Sequence, residues 1–237
     1  MDATSVSPAA GGGTRAATPG ATDARPSSTA RQEHWEMVYG GRDERQLSWY
    51  QGDPDLSARL VTEQAAALPS GQASAVVDAG GGSSALAGRL AADGFTDLTV
   101  VDIARPALSA AARRSGGDKV VRIQADLLTW RPPRRYQIWH DRAVFHFLTE
   151  PADRAAYLAT LRAALSPGGA IIIAAFSPDG PAHCSGLPVA RYDASGLAAE
   201  LTASFGDAIT ITGQHAEEHH TPSGAIQPFT WITARLA

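Results

Sequence analysis

A single cysteine, Cys184, stands in the 237 residues, so no intrachain disulfide can form and the composition suits a reducing compartment. No apolar run approaches the roughly 20 residues that a membrane-spanning helix needs. Nor does an apolar segment follow basic residues near Met1, as a secretory leader would require. These absences predict a cytoplasmic chain that does not enter a membrane. Charge is also sparse, at 19% of residues with a formal net value of −4, which gives no general attraction to nucleic acid. Residues 1–30 lack large apolar side chains apart from Met1 and Val6 and are rich in Ala, Gly, Thr, Ser and Pro. Such a stretch cannot offset its own ordering entropy, so a disordered tail is expected there, followed by one domain over 31–237. What is present, 44% hydrophobic residues, suits a full-sized core.

The chain is organised around residues 75–103. Ala75-Val76-Val77-Asp78 ends a β-branched run in an acid, Gly80, Gly81 and Gly82 follow, an Ala/Leu-rich helical pattern returns, and Leu98-Thr99-Val100-Val101-Asp102 ends a second run in another acid. That is a β-α-β unit. The glycines allow backbone N–H groups to approach a ligand at a helix N-terminus. Gly80-x-Gly82-x-x-Ala85 formally meets the dinucleotide fingerprint. Asp78, however, would repel a pyrophosphate and would accept from an ammonium group. Asp102 lies 24 positions further on (102 − 78), where a carboxylate takes both hydroxyls of a ribose. A ribose joined to a cation suggests S-adenosylmethionine, with a nicotinamide dinucleotide as the rival ligand.

Asp78-Ala79-Gly80-Gly81-Gly82-Ser83-Ser84 resembles the Asp/Glu-x-Gly-x-Gly-x-Gly motif of the class I S-adenosylmethionine-dependent methyltransferases, with Ser84 in place of the third glycine. Leu165-Ser-Pro-Gly-Gly-x-Ile-Ile-Ile is similar to that family's lead into its fifth strand. The resemblance implies an α/β fold, a Rossmann-like seven-stranded sandwich that is mostly parallel with an antiparallel last strand. It also implies that Asp78 and the backbone of Gly80, Gly81 and Gly82 hold the methionine part and that Asp102 binds the ribose. Ile103 would then lie on the adenine face, while Asp126, with Leu127 beside it, accepts from the adenine amine. His34-Trp35-x-x-x-Tyr39, then Leu47-Ser48-Trp49-Tyr50, resembles the N-terminal helix of a small-molecule and protein-lysine branch of the family, in which aromatics close over the cofactor. A sulfonium gains about 0.5–2 kcal/mol over an aromatic face. Plain core packing of Trp35, Tyr39 and Trp49 is the alternative.

Further along, Lys119–Asp126 and Tyr136–Asp141 read as the third and fourth strands. Ligands of such sheets sit beyond the carboxyl ends of the strands. His140, Asp141 and Arg142 are therefore the candidates for chemistry, Asp141 as a base beside the cofactor and Arg142 toward the substrate. Ala143–Leu148 predicts helix, placing His146 about one turn from Arg142 as a second candidate base. In the family resemblance, His140-Asp141-Arg142-Ala143 replaces the Asn/Asp-Pro-Pro-aromatic signature of nucleic-acid amino and protein glutamine methyltransferases, which disfavours both activities.

A helix over Asp153–Leu165 precedes Ala170–Phe176, the most hydrophobic strand and hence a central one. The loop Ser177–Asp193 is expected to form the substrate wall, with Arg191 and Tyr192 orienting the acceptor. Ile209–Thr212 and Phe229–Ala234 read as a closing strand pair with Gln214–Pro222 between them. His215 and His219 have helical spacing but stand between strands, so no metal is expected.

The expected function is methyl transfer from S-adenosylmethionine to an O, N or S nucleophile of a small molecule, by in-line placement and proton removal. Protein-lysine methylation is the alternative, and a noncatalytic, regulatory binder of the same cofactor is a third reading.

Overall fold

The structure, a computed structural model of the protein, describes Met1 and residues 26–41, 43–114 and 120–237. The expected tail falls, for residues 2–25, outside the described residues. Helix α1 already begins inside the tail's expected span: it runs Ser28–Gly40, and its N-cap Ser27 accepts from the Ala30 amide.

Five parallel strands form the body of the sheet: β1 (Val76–Ala79), β2 (Leu98–Asp102), β3 (Val120–Gln124), β4 (Tyr136–Arg142) and β5 (Leu165–Phe176). A small hairpin, β6 (His183–Cys184) and β7 (Leu187–Pro188), interrupts the chain before β8 (Ile209–His220) and β9 (Ile226–Leu236). The sheet order is β3-β2-β1-β4-β5-β9-β8, with β9 antiparallel to both neighbours. This is the seven-stranded, mostly parallel arrangement the sequence implied. Because chain order reverses between β1 and β4, the carboxyl ends of those strands open a crevice.

Period-2 alternation along the central strands divides the core into two layers. Trp139, Ile171 and Ile173 face α5 (Pro151–Ala164) and α6 (Ala194–Phe205), packing on Tyr157, Leu161 and Leu197. Ile138, Ile172 and Ala174 face α2 (Asp55–Ala66) and α3 (Leu86–Ala92), packing on Leu60, Leu86 and Leu90, and α4 (Arg105–Arg114) links β2 to β3. Asp193 caps α6 by accepting from the Gly196 amide at 2.7 Å.

Three local expectations change. The helix expected over Ala143–Leu148 is a single tight turn, Phe145–Phe147, because Ala143 stands at φ +74 and breaks the helical path directly after β4. The segment Gln214–His220, expected between strands, continues β8 in register with β9 and pairs His215 with Trp231. The third strand ends at Gln124, so Asp126 lies past the strand rather than in it; Lys119 is outside the described residues.

Candidate cofactor and substrate site

The glycine loop between β1 and α3 is shaped by the acids it serves. A Cβ at position 81 would stand 2.4 Å from Asp78 Oδ2, and one at position 82 would stand 2.4 Å from the Tyr39 hydroxyl. Gly82 also needs its φ of +50. Sequence reasoning assigned these glycines to ligand approach; the structure shows that Gly81 and Gly82 first make room for the protein's own side chains. Asp78 is 5% exposed, and its Oδ1 accepts from His140 Nδ1 at 2.8 Å. Its Oδ2 is buried without a hydrogen-bond partner among the described residues. A carboxylate oxygen left bare in the interior is costly unless a donor arrives from outside the chain. An ammonium group fits that vacancy in the hydrogen-bonding pattern.

Asp102 closes β2. It is 6% exposed, and Oδ1 accepts from the Ala104 amide at 2.7 Å. Burial pushes its carboxyl up to about 7, with nearby Asp78 adding to the shift and backbone donors opposing it. Beyond Asp102 opens a cavity of about 750 Å³ whose near wall includes Ile103, Asp126, Leu127 and Gly80. Asp126 is already engaged: Oδ2 accepts from Arg31 Nη2 at 2.6 Å, and Oδ1 accepts from the Leu128 amide at 3.0 Å.

Aromatic side chains roof the cavity. Trp35 packs edge-on against Phe147 at 4.9 Å and against Trp49 at 6.1 Å, and Tyr39 meets Trp49 at 5.8 Å. Burial drives the Tyr39 phenol well above its ordinary value, and Asp102 adds to the shift. Tyr39, Trp49, Gly80 and Arg142 line both this cavity and a niche of about 60 Å³ that contains Asp78, His140 and Ser57. Asp78 thus occupies the side niche and Asp102 the main cavity, with the aromatic pair between them.

Arg142, expected to meet substrate, stands at that junction. Its Nη2 donates to Glu217 Oε1 at 3.2 Å, Nε donates to Oε2 at 3.3 Å, and the guanidinium lies over Phe229 at 4.4 Å. Burial lowers its pKa while Glu217 opposes the shift. Glu217 also accepts from Gln51 at 2.7 Å and from Trp231 Nε1 at 3.0 Å, so the pair is a fixed wall element.

The far wall carries Phe147, Phe176 and Phe229, with Cys184, Leu187 and Pro188 from the β6–β7 hairpin. His146 lines the cavity among those rings, 4.4 Å from Phe176. Its Nδ1 accepts from the Phe176 amide at 3.4 Å, which places the ring proton on Nε2. That nitrogen is buried without a partner among the described residues. Burial lowers the imidazole to about 3, and Arg142 adds to the shift. A general base works best with a pKa near the operating pH, so the base role expected of His146 does not fit; a hydrogen-bond donor does.

Asp141, the other expected base, is 0% exposed and faces α5 instead of the cavity. Both oxygens are occupied, one by the Tyr157 hydroxyl and the other by the Val144 amide at 2.9 Å. Burial raises it to about 7. Arg191 and Tyr192, expected to orient substrate, lie off the cavity. Arg191 donates to the carbonyls of Pro178 and Gly180 at 3.0 and 3.2 Å, which ties its own loop together. Tyr192 packs on Phe145 at 5.6 Å within the α5–α6 layer.

Sequence reading missed Ser57, Arg31, Glu217 and Phe229. Each reaches the site from a distant element, and no local spacing announces it. Among the described residues, no group of three His, Cys, Asp or Glu side chains is placed to hold a metal, and no helix is long and apolar enough to cross a membrane.

Comparison with known proteins follows the same lines. Residues 76–169 match a family model described as a methyltransferase domain. No curated protein matches the chain. Among solved structures, the N-methyltransferase NodS of Bradyrhizobium japonicum, crystallised with S-adenosylhomocysteine, is 16% identical over 86% of this chain and 98% of that one, with a TM-score of 0.65. The 1,6-didemethyltoxoflavin N1-methyltransferase of Burkholderia thailandensis, holding its substrate and S-adenosylhomocysteine, is 23% identical over 92% and 93%, with a TM-score of 0.63. The glycopeptide N-methyltransferase MtfA, bound to sinefungin, is 14% identical over 81% and 96%, with a TM-score of 0.58. At these identities the likeness is one of fold.

Proposed function

We propose that the chain, whose residues 76–169 match a methyltransferase domain, is a class I S-adenosylmethionine-dependent methyltransferase that methylates an O, N or S nucleophile of a small, flat and largely apolar molecule. The observation behind this reading is the continuity of one cavity, running from Asp102 and Ile103 to a wall of Phe147, Phe176 and Phe229. Its volume of about 750 Å³ lies within the range of small-molecule sites, about 300–1,000 Å³. Both arginines in its wall, Arg31 and Arg142, are paired with carboxylates, which argues against an anionic acceptor.

Asp78 Oδ2 and the Gly80–Gly82 backbone would hold the amino-acid end of the cofactor, Asp102 the ribose, and Ile103, Asp126 and Leu127 the adenine. Bound S-adenosylmethionine supplies an electrophilic methyl group. Trp35, Tyr39 and Trp49 exclude water from it, and the phenylalanine wall holds the acceptor plane. His146 Nε2 donates to a polar atom of the acceptor and fixes its rotation in the wall. Placement carries most of the rate in this reading, because Asp141 is sealed beneath Tyr157 and His146 is a weak base.

The test is calorimetric titration with S-adenosylhomocysteine, NAD and NADP, followed by incubation of a cell lysate with labelled S-adenosylmethionine. Binding of the first nucleotide with label in the small-molecule fraction supports the proposal. Label confined to one protein band would show protein methylation instead, and cofactor binding with no labelled product would show a regulatory binder.

A further inference from the structure

Asp78 and His140 are direct partners in the parallel register of β1 and β4, and both side chains turn to the α2 face of the sheet. His140 is 2% exposed. Its Nδ1 donates to Asp78 Oδ1 at 2.8 Å, and Nε2 lies 3.0 Å from the hydroxyl of Ser57, which is itself 2% exposed in the first turns of α2. A carboxylate can only accept, so Nδ1 must carry the proton. In the neutral ring, Nε2 then accepts from Ser57. The three groups form a chain that runs one way, from hydroxyl to imidazole to carboxylate, inside the niche behind Tyr39 and Trp49.

What this chain achieves follows from the two oxygens of Asp78. One is held by His140; the other, Oδ2, is buried and bare among the described residues and lies over the backbone of Gly81. A carboxylate with one oxygen fixed cannot swing away, and an imidazole held from behind by Ser57 fixes it through a single N–H while leaving Oδ2 bare. An arginine or lysine in that place would satisfy the acid and remove its attraction for a cation. We propose that His140, held by Ser57, is a positioning residue that aims Asp78 Oδ2 at the ammonium of the cofactor's amino-acid end, and that the Ser57–His140–Asp78 chain thereby sets the preference for nucleosides bearing an amino-acid tail. The proposal rests on the methyltransferase reading above.

Two ligands separate this role from a merely structural one. S-adenosylhomocysteine has the amino-acid tail, whereas 5′-methylthioadenosine shares the adenosine and thioether but lacks the tail. Calorimetry on the full chain should show His140→Ala weakening S-adenosylhomocysteine by roughly ten- to a hundredfold, the range for a lost hydrogen bond to a charged group, with 5′-methylthioadenosine unchanged. His140→Asn, whose amide donor reaches the Nδ1 position, should restore tail binding to within about threefold of the parent. Ser57→Ala removes only the outer link and barely changes volume, so it remains foldable; it should cost a few-fold, selectively for the tailed ligand. Equal losses for both ligands, no loss in His140→Ala, or His140→Asn as weak as His140→Ala would each overturn the proposal. If the parent protein binds neither nucleoside, the methyltransferase reading fails instead, and the parent titration alone reveals it.

Discussion

The Tyr157 hydroxyl donates to Asp141 while accepting from Trp139 Nε1 at 2.9 Å, so one phenol on α5 satisfies two buried groups of β4. All three side chains are fully buried. Tyr157→Phe leaves both partners unsatisfied, at about 1–3 kcal/mol for each orphaned group. Urea denaturation should report a loss of a few kcal/mol. A loss within the error of the parent would show that water replaces the phenol and that Asp141 is less sealed than its geometry indicates.

Two carboxyls make stability depend on pH. Burial raises Asp141 and Asp102 to about 7, above their ordinary value near 3.8. Between those values the folded chain holds protons that the unfolded chain has lost. The stability they contribute is therefore complete below about 4 and is lost as pH rises through about 7. Denaturant midpoints for the parent should fall across that window. Asp141→Asn, which cannot ionise, should flatten part of the fall, and an unchanged slope would refute the assignment to Asp141.

In the proposed function, Asp102 should also link pH to ligand affinity. Hydroxyl donors favour its ionised form, so cofactor binding should release protons near pH 7 and should tighten from pH 6 to pH 8 before levelling. Calorimetry of S-adenosylhomocysteine in buffers of different ionisation enthalpy measures that release. Asp102→Asn should bind at least about tenfold more weakly and without the pH dependence, since an amide cannot accept two hydroxyls as a carboxylate does.

Trp49 lines both the main cavity and the niche of Asp78, at the boundary where the amino-acid end and the methyl would meet. Its face should favour the sulfonium of S-adenosylmethionine over the neutral thioether of S-adenosylhomocysteine, by about 0.5–2 kcal/mol. Trp49→Leu should therefore weaken both ligands but S-adenosylmethionine more, by a further factor of roughly two to thirty. Parallel losses would assign Trp49 to packing alone.

Arg31 fastens α1 to the loop after β3 through Asp126, at 2.6 Å with side chains 20% and 8% exposed. Such a partly buried, two-pronged contact should hold the aromatic roof closed. Arg31→Ala is expected to speed amide exchange across α1 and to weaken S-adenosylhomocysteine a few-fold. Unchanged exchange would mean that Trp35 and Tyr39 hold the helix without the ion pair.

The residues with local signatures were the ones readable from the chain alone. Strand, three glycines, helix and strand again form a short-range pattern, and acids at strand ends must reach the carboxyl edge of a parallel sheet. Asp78, Asp102 and Ile103 therefore came out near where the structure puts them, as did the aromatic face of α1. His140, Asp141 and Arg142 did not separate by role. Alternation along β4 dictates that neighbours point oppositely, but not which of the two layers each one meets.

The sequence by itself determined the β-α-β unit and the placing of Asp78 and Asp102 at its strand ends, because hydrophobic period and glycine placement act over a few residues, and its motifs carried the family resemblance that implied the seven-stranded scaffold. Only the tertiary structure decided what those acids and their neighbours can do. Tyr157 covers Asp141, Glu217 claims Arg142 from 75 residues away, and His140 reaches Asp78 across 62. Burial then shifts the titration of Asp102, Asp141 and His146, and burial is a property of the packed chain rather than of any stretch of it.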